Sequence, residues 1–335
     1  MMNSRVRRKI LIRFILIGPN MKLLIFGAFG FLGQNIIAEL EKINKKVFSK
    51  LSVTYFSNSK FYSLSNEADF FDIYECDVRN KNSVEDIINI TTPDVILHMA
   101  STRYFSEPRN QNDHADINLL GLKNIIDGMK VCGLDSRLIF INSGAAKNAY
   151  IKDIGENYAT KGLTYVQSKL LASNYFQEKN VTNQISGLEV RLFTPFGPWD
   201  YSNRLIQSTV IQLNSGKIPK IHSPESTRDF IHVSDVVNAL INVISNQQTS
   251  KKVLEIGTSK SRSVLSVVKN IYKIMNVKYV EDFHSERTEN EEITSMEADI
   301  NYSKELLDWM PRILFEDGLE STVKWTLNQI GRFYD

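Results

Sequence analysis

One short stretch near the start, residues 21–33 (MKLLIFGAFGFLG), constrains the fold of this chain more than any other. Residues 23–26 form an unbroken apolar run, and a strand without polar alternation is one buried on both faces, as in a parallel sheet. Gly27, Gly30 and Gly33 follow at intervals of three, and an amphipathic run from Phe31 to Ile43 completes the unit. Strand, glycine turn and helix in that order set a helix N-terminus, with free N–H groups and a positive dipole end, opposite a phosphate. Gly27 allows the tight turn, Gly30 lets the backbone approach a pyrophosphate, and Gly33 lets the helix lie against the strand. The spacing is G-x-x-G-x-x-G, not G-x-G-x-x-G. With this strand and helix around it, the turn points to a dinucleotide.

The 335 residues suffice for one large or two intimate domains with a sizeable core. A net charge of +2 gives no footprint for nucleic acid or for a membrane surface. Cys76 and Cys132 make neither a disulfide scaffold nor metal-ligand spacing, which fits a reducing, cytoplasmic setting. Residues 1–20 start basic and continue with an apolar run broken by Arg13. No small-residue cleavage site follows that run. They read as an extension, disordered or from an upstream start codon, with Met21 opening the fold.

Downstream the pattern alternates. Strands are expected at 52–56, 74–78, 93–100 and 137–142, and helices at 83–90 and 116–131. Such β-α alternation implies a doubly wound parallel sheet, in which ligands sit beyond the strand C-termini. Gly27, Ser57, Asp77, His98 and Ser143 all fall at such ends, where Asp77 would meet an adenine amino group and Val78 its ring edge. His98 reads as a structural residue satisfied by backbone. After the second strand an Asp or Glu would grip the ribose hydroxyls of NAD. No acidic residue occurs between Glu41 and Glu67, and the strand end offers Ser57, Asn58, Ser59 and Lys60. Such donors suit a 2′-phosphate, so NADP(H) is favoured over NAD(H).

Tyr165 and Lys169 lie four apart in LTYVQSKLLASNYF, a helical pattern with Leu163, Val166, Leu170 and Leu171 on its apolar face. That spacing puts phenol and ammonium on one side. A nearby cation is expected to lower the Tyr165 pKa towards the working range, so that it can exchange a proton with a carbonyl or alcohol. Ser143 can donate to the same oxygen. Alone, Y-x-x-x-K is a weak pattern. It gains force from the glycine turn and the strand-end Ser before it.

With those residues in place, the chain resembles the extended short-chain dehydrogenases/reductases, the nucleotide-sugar epimerase, dehydratase and ketoreductase group. The resemblance spans about 21–325 and rests on GAFGFLG, CDV at 76–78, HMA at 98–100, Ser143, YVQSK at 165–169, RLFTPFGP at 191–198 and RDFIHVSD at 228–235. It implies a Rossmann sheet at 21–190 plus 228–258, and a smaller α/β C-terminal substrate domain at 191–227 plus 259–335. It implies Ser143, Tyr165 and Lys169 as the catalytic triad, Lys169 also bonding the nicotinamide ribose. The cofactor is expected against Gly27, Phe29, Gly30, Phe31 and Leu32, then Met99, Ala100 and Ser101, with the turn from Phe193 to Pro195 beside the carboxamide. Arg103, Thr194, Trp199 and Arg204 are expected around the sugar and Arg228 at the nucleotide diphosphate. Arg287 joins Arg228 there or forms an exposed ion pair with its Glu neighbours. Helices at 113–131 and 164–179 would pair two copies into a homodimer.

Three departures narrow the reaction. Family 4,6-dehydratases carry Asp-Glu after the catalytic Ser/Thr, whereas Gly144 and Ala145 stand here. Thr194 occupies the place of a substrate-contacting Asn in many epimerases. The acidic NAD determinant is missing. These lead to an NADPH-dependent reductase of a nucleotide-linked keto-deoxysugar, hydride arriving at C4 and a proton from Tyr165. The alternative is an NAD-dependent nucleotide-sugar 4-epimerase. Later helices are expected at 201–214, 234–245, 264–275 and 315–330, strands at 217–222 and 253–257, and Trp309 in the core.

Overall fold

The computed structural model describes residues 21–43, 48–56, 71–102, 113–147, 163–221, 223–246, 251–280, 295–332 and 334. Strand β1 (Met21–Phe26) lies in the interior of the main sheet, and residues 23–26 of it are almost wholly buried. It runs parallel between β2 (Phe48–Tyr55) and β4 (Val95–His98). With β3 (Asp72–Glu75), β5 (Arg137–Ser143), β6 (Ser186–Leu192) and β10 (Leu254–Ile256), the order among the described residues is β10-β6-β5-β4-β1-β2-β3, seven strands, all parallel. The crossover direction reverses between β1 and β4, and that switch point opens a crevice at the strand C-termini.

A parallel sheet must be covered on both faces. Leu23, Ile25, Leu97, Ile139 and Val190 face α1 (Phe31–Ile43) and α7 (Val233–Ser245). Leu24, Phe26, Ile96, Leu138 and Phe140 face α2 (Lys81–Thr91), α4 (Gly121–Val131) and α5 (Tyr165–Val181). Trp309 is buried in the first of these cores, as expected. Elsewhere β7 (Pro195–Phe196) pairs with β9 (Ile231–His232), and β8 (Thr227–Asp229) lies between β11 (Ser261–Ser263) and β12 (Ser295–Met296). A separate apolar core joins α6 (Leu205–Asn214), α8 (Val264–Ile274) and α10 (Phe315–Gln329) through Val210, Ile271, Phe315 and Leu319. The short α9 (Asn301–Leu307) brings Leu307 to the main core.

Several boundaries differ from the sequence reading. β2 begins at Phe48, four residues early, because Met21 already pairs with Phe48. The helix expected from 201 starts at Leu205, since Arg204 is extended (ψ 152°) and residues 201–204 form a turn. The strand expected at 217–222 is absent from the described residues 217–221. Their amides turn back instead: Lys217 donates to the Gln212 carbonyl at 2.9 Å and Lys220 to Gln212 Oε1 at 3.3 Å. The helix expected at 116–131 begins earlier and is interrupted. A short α3 (Asp113–Ala115) leads into a wider π turn (Asp116–Leu120) before α4.

Candidate active site

The glycine turn after β1 is packed so that each glycine has its own reason. Gly27 has φ +83°, and a Cβ there would lie 2.6 Å from the Ala100 nitrogen. A Cβ on Gly33 would lie 2.1 Å from the Ala28 carbonyl oxygen, so only glycine lets α1 start this close to the turn. Gly30 is different. A Cβ there would touch the Gly27 oxygen and the Tyr201 hydroxyl at 3.5 Å, ordinary contact, so the fold does not require glycine at this position. Phe31 and Leu32 open α1, where a helix has no acceptor of its own for its amides. This cradle fits a pyrophosphate by charge and by shape.

Around it, Phe29 stacks on Tyr55 at 5.1 Å. Met99 donates its amide to the Phe26 carbonyl at 2.9 Å, which seats the strand-end residues Met99, Ala100 and Ser101 beside the turn. Asp77, two residues beyond β3, is gripped by the Arg79 guanidinium at 2.7–3.0 Å and by the Arg79 amide. Burial works to raise its carboxyl, but the Arg79 bonds prevail and hold it below the usual range. Val78 is buried against Gly121, and its carbonyl accepts from Asn124 Nδ2 at 2.8 Å. Ser57, Asn58, Ser59, Lys60, Arg103 and Arg287 lie outside the described residues.

The structure brings Ser143, Tyr165 and Lys169 together. Ser143 ends β5, and its hydroxyl hydrogen-bonds the phenol of Tyr165, the first residue of α5. Thr164 caps that helix by accepting from the Gln167 amide, while Gln167 Oε1 accepts from the Thr164 amide, which fixes where the helix starts. Lys169 Nζ stands 5.6 Å from the Tyr165 ring centroid. The electrostatics correct one expectation. Burial raises the Tyr165 pKa; the Ser143 bond and the Arg204 charge oppose that rise without reversing it. Burial pushes Lys169 down to about 7, opposed by the charge of Glu189. The phenol thus stays protonated at neutral pH, and the lysine is the group that titrates there.

His98 also departs from expectation. Its ring lies 5.7 Å from Phe140 and 6.4 Å from Phe26, and neither ring nitrogen has a hydrogen-bond partner among the described residues. Burial, with the Lys169 charge second, lowers its pKa to about 3, so it is a neutral aromatic filler.

The residues that sequence reasoning missed hold the triad in place. Asn118, in the π turn, is buried and uses all its capacity: Oδ1 accepts from the Thr102 amide (3.0 Å) and Ser101 Oγ (2.9 Å), and Nδ2 donates to Thr102 Oγ1 and Ser168 Oγ (both 2.8 Å). Ser168 Oγ in turn donates to the Tyr165 carbonyl at 2.7 Å. His114 bonds Thr102 Oγ1 at 2.8 Å and meets the Tyr165 ring edge-on at 5.9 Å. The signal was a polar residue on the buried face of an apolar helix, and π turns concentrate at functional positions.

The substrate candidates are spread more widely. Arg204 lies close enough to act on Tyr165, with Asp200 at 3.7 Å. The Thr194 carbonyl accepts from the Ile231 amide at 3.2 Å. Trp199, in the left-handed region at φ +62°, meets Trp325 at 5.9 Å. Arg228 sits on β8 with NH1 donating to the Thr227 carbonyl at 2.9 Å. The Phe193 side chain is fully buried against Gly144, Ala145 and Val166, so it offers a ligand no side-chain surface.

A sequence model of the NAD dependent epimerase/dehydratase family matches residues 23–257. The chain belongs to that family. It is 23% identical over 323 residues to a UDP-glucuronate 4-epimerase of Thermodesulfobacterium geofontis, covering 92% of this chain and 96% of the relative. Its fold is similar to dTDP-glucose 4,6-dehydratase from Bacillus anthracis, solved in complex with NAD (TM-score 0.78, 20% identity, covering 93% and 98% of the two chains). It is also similar to UDP-glucose 4-epimerase from Thermotoga maritima, solved with UDP-glucose (TM-score 0.77, 20% identity, 93% and 99%). Members of this enzyme family act on nucleotide sugars, and among the described residues no helix is long and apolar enough to cross a membrane.

Proposed function

We propose that this protein is a nucleotide-sugar 4-epimerase, inverting the C4 hydroxyl of a nucleoside-diphosphate sugar. The observation that carries the reading is Gly144. Relatives are named as 4-epimerases and as 4,6-dehydratases, and dehydration needs an acid after the strand-end Ser. Here an added Cβ would lie 2.9 Å from two atoms of the buried Phe193 ring, so the acid has no room. What remains is hydride exchange at one carbon.

A nicotinamide dinucleotide, when bound, supplies the hydride acceptor and donor. The glycine turn and the first amides of α1 hold its pyrophosphate. Ser143 and Tyr165 hold the C4 oxygen; Tyr165 takes the C4 hydroxyl proton as its phenolate, a form that the Lys169 ammonium and the positive charge of a bound oxidised nicotinamide would favour against burial, and gives that proton back to the C4 oxygen when hydride returns. Inversion requires the 4-keto sugar to show its opposite face before the hydride returns. Arg228 binds the phosphate-linked end, where guanidinium suits phosphate oxygens, while Arg204, close enough to act on Tyr165, lies against the sugar. A second copy, packed through the helices at 113–131 and 164–179, belongs to the same reading. Leu120 and Val131 are exposed on the first of these segments, and sedimentation reads the pairing.

One observation favours a second reading, an NADPH-dependent 4-ketoreductase: no acidic residue occurs between Glu41 and Glu67 to meet an NAD ribose. Releasing the nucleotide from purified protein separates the two. Tightly held NAD supports the epimerase; an empty protein that consumes added NADPH only with a keto sugar supports the reductase.

A further inference from the structure

The face of the sheet that meets α5 carries an unusual residue in the middle of a buried strand. Glu189 on β6 is 0% exposed. Its neighbours on that face are Gly187 and Arg191, so β6 shows this helix no apolar side chain, although Leu188 and Val190 on the other face are ordinary core. An unpaired carboxylate in such a place is prohibitive, and this one is fully partnered. It accepts from Asn142 Nδ2 (3.0 Å), Ser173 Oγ (2.8 and 2.9 Å), Gln177 Nε2 (2.7 Å) and Arg191 Nε (2.9 Å).

Two features connect this cluster to the site. Tyr165, Lys169, Ser173 and Gln177 follow at intervals of four, a single stripe along α5. Its first half is the catalytic pair and its second half holds Glu189. Asn142 is the other link. Its Nδ2 donates to the Lys169 carbonyl at 3.2 Å as well as to Glu189, and its Oδ1 accepts from the Ser143 amide at 2.9 Å. One amide thus ties the strand end bearing Ser143, the helix turn bearing Lys169 and the buried carboxylate.

We propose that Glu189 and Asn142 form a positioning pair for the catalytic site: Asn142 sets Ser143 in register with Lys169, and Glu189 supplies the buried negative charge that keeps the Lys169 ammonium protonated. The other ionisable groups around Lys169 do not do this. His98 on β4 and His114 on α3 feel the lysine's positive charge as a penalty, Tyr165 stays neutral, and Arg191 is itself paired to Glu189. Burial has taken Lys169 to about 7, and Glu189 is the group opposing a further fall.

The role rests on the proposed proton transfer at Tyr165, but its test need not. Lys169 Nζ is followed by NMR through a pH titration of the 15N-lysine-labelled full chain, its signal assigned by loss in Lys169→Met. The native midpoint is expected near 7. A native midpoint at or below about 5, typical of a buried lysine with no carboxylate to support it, overturns the proposal on the native protein alone. In Glu189→Gln the midpoint is expected to drop by about one unit, and Glu189→Asp is expected to restore most of it. An unchanged midpoint in folded Glu189→Gln overturns the role. Turnover should follow: the basic limb of kcat moves down with the lysine, a loss of about tenfold at pH 8 and under about twofold at pH 6, with KM little changed. If no nucleotide sugar is turned over, the proposed function fails while the titration still judges Glu189.

Discussion

Substituting alanine at Gly30 and at Gly33 should separate a glycine kept for a ligand from a glycine kept for the fold. At Gly33 the added Cβ would stand 2.1 Å from a backbone oxygen, where ordinary contact begins near 3.4 Å. No side chain can rotate away, so α1 must shift off the turn. Overpacking of this kind costs about 3 kcal/mol, a fall of about 4 °C in Tm for a chain of this size. At Gly30 the Cβ meets the Gly27 oxygen and Tyr201 hydroxyl at 3.5 Å without strain. Gly30→Ala should be neutral, or stabilise by about 0.5 kcal/mol through the unfolded chain. The same methyl occupies the space through which backbone approaches a pyrophosphate. Displacing one charge-assisted bond costs about 2–3 kcal/mol, so the Kd for the dinucleotide should rise roughly a hundredfold. Calorimetry gives both numbers. A Gly30→Ala protein that binds dinucleotide as tightly as the native one would refute the placement of the pyrophosphate. An unshifted Tm in Gly33→Ala would refute the packing argument.

Tyr165→Phe keeps the ring that packs against His114 and loses the hydroxyl. Dinucleotide binding should persist while turnover falls by about 10²- to 10⁴-fold, and near-normal activity would sink the role of the phenol. His98 is held neutral with a folded pKa of about 3 against an ordinary 6.5. Because the unfolded chain takes up its proton first, this contribution is complete above pH 6.5 and is lost as pH falls towards 3. Between pH 7 and 5 the loss is about 2 kcal/mol, and His98→Leu should flatten that part of the stability profile measured by urea unfolding. The double change Gly144→Asp, Ala145→Glu restores the dehydratase pattern in sequence only. It should lower stability through the Phe193 ring without producing a 4-keto-6-deoxy product detectable by mass spectrometry.

Much of this was legible in the residues themselves. The β1 apolar run, the glycines and the Tyr165–Lys169 spacing are local patterns, and local patterns determine a strand, a turn and one face of a helix. Ser143, far from Tyr165 in sequence, was found because parallel strands bring their C-termini to one edge. What escaped was either non-local or a matter of degree. Asn118 and Glu189 look like isolated polar residues until β4, β5, β6 and α5 are assembled around them. The sign of the Tyr165 shift depends on burial outweighing nearby charge, a balance that spacing does not encode. The strand expected at 217–222 failed because Gln212, at the end of α6, claims the amides that a ladder would have used.

The central claim is inversion at C4 without net oxidation. Purified protein, with no added nicotinamide, is given UDP-glucose and separately UDP-glucuronate, and the sugar C4 signals are followed by NMR while absorbance at the nicotinamide band is recorded. The account predicts that at least one of them approaches an equilibrium mixture with its C4 epimer while the absorbance stays flat, and that Tyr165→Phe abolishes the change. Absence of any epimer, together with stoichiometric NADPH consumption when a nucleotide 4-keto sugar is supplied, would contradict it.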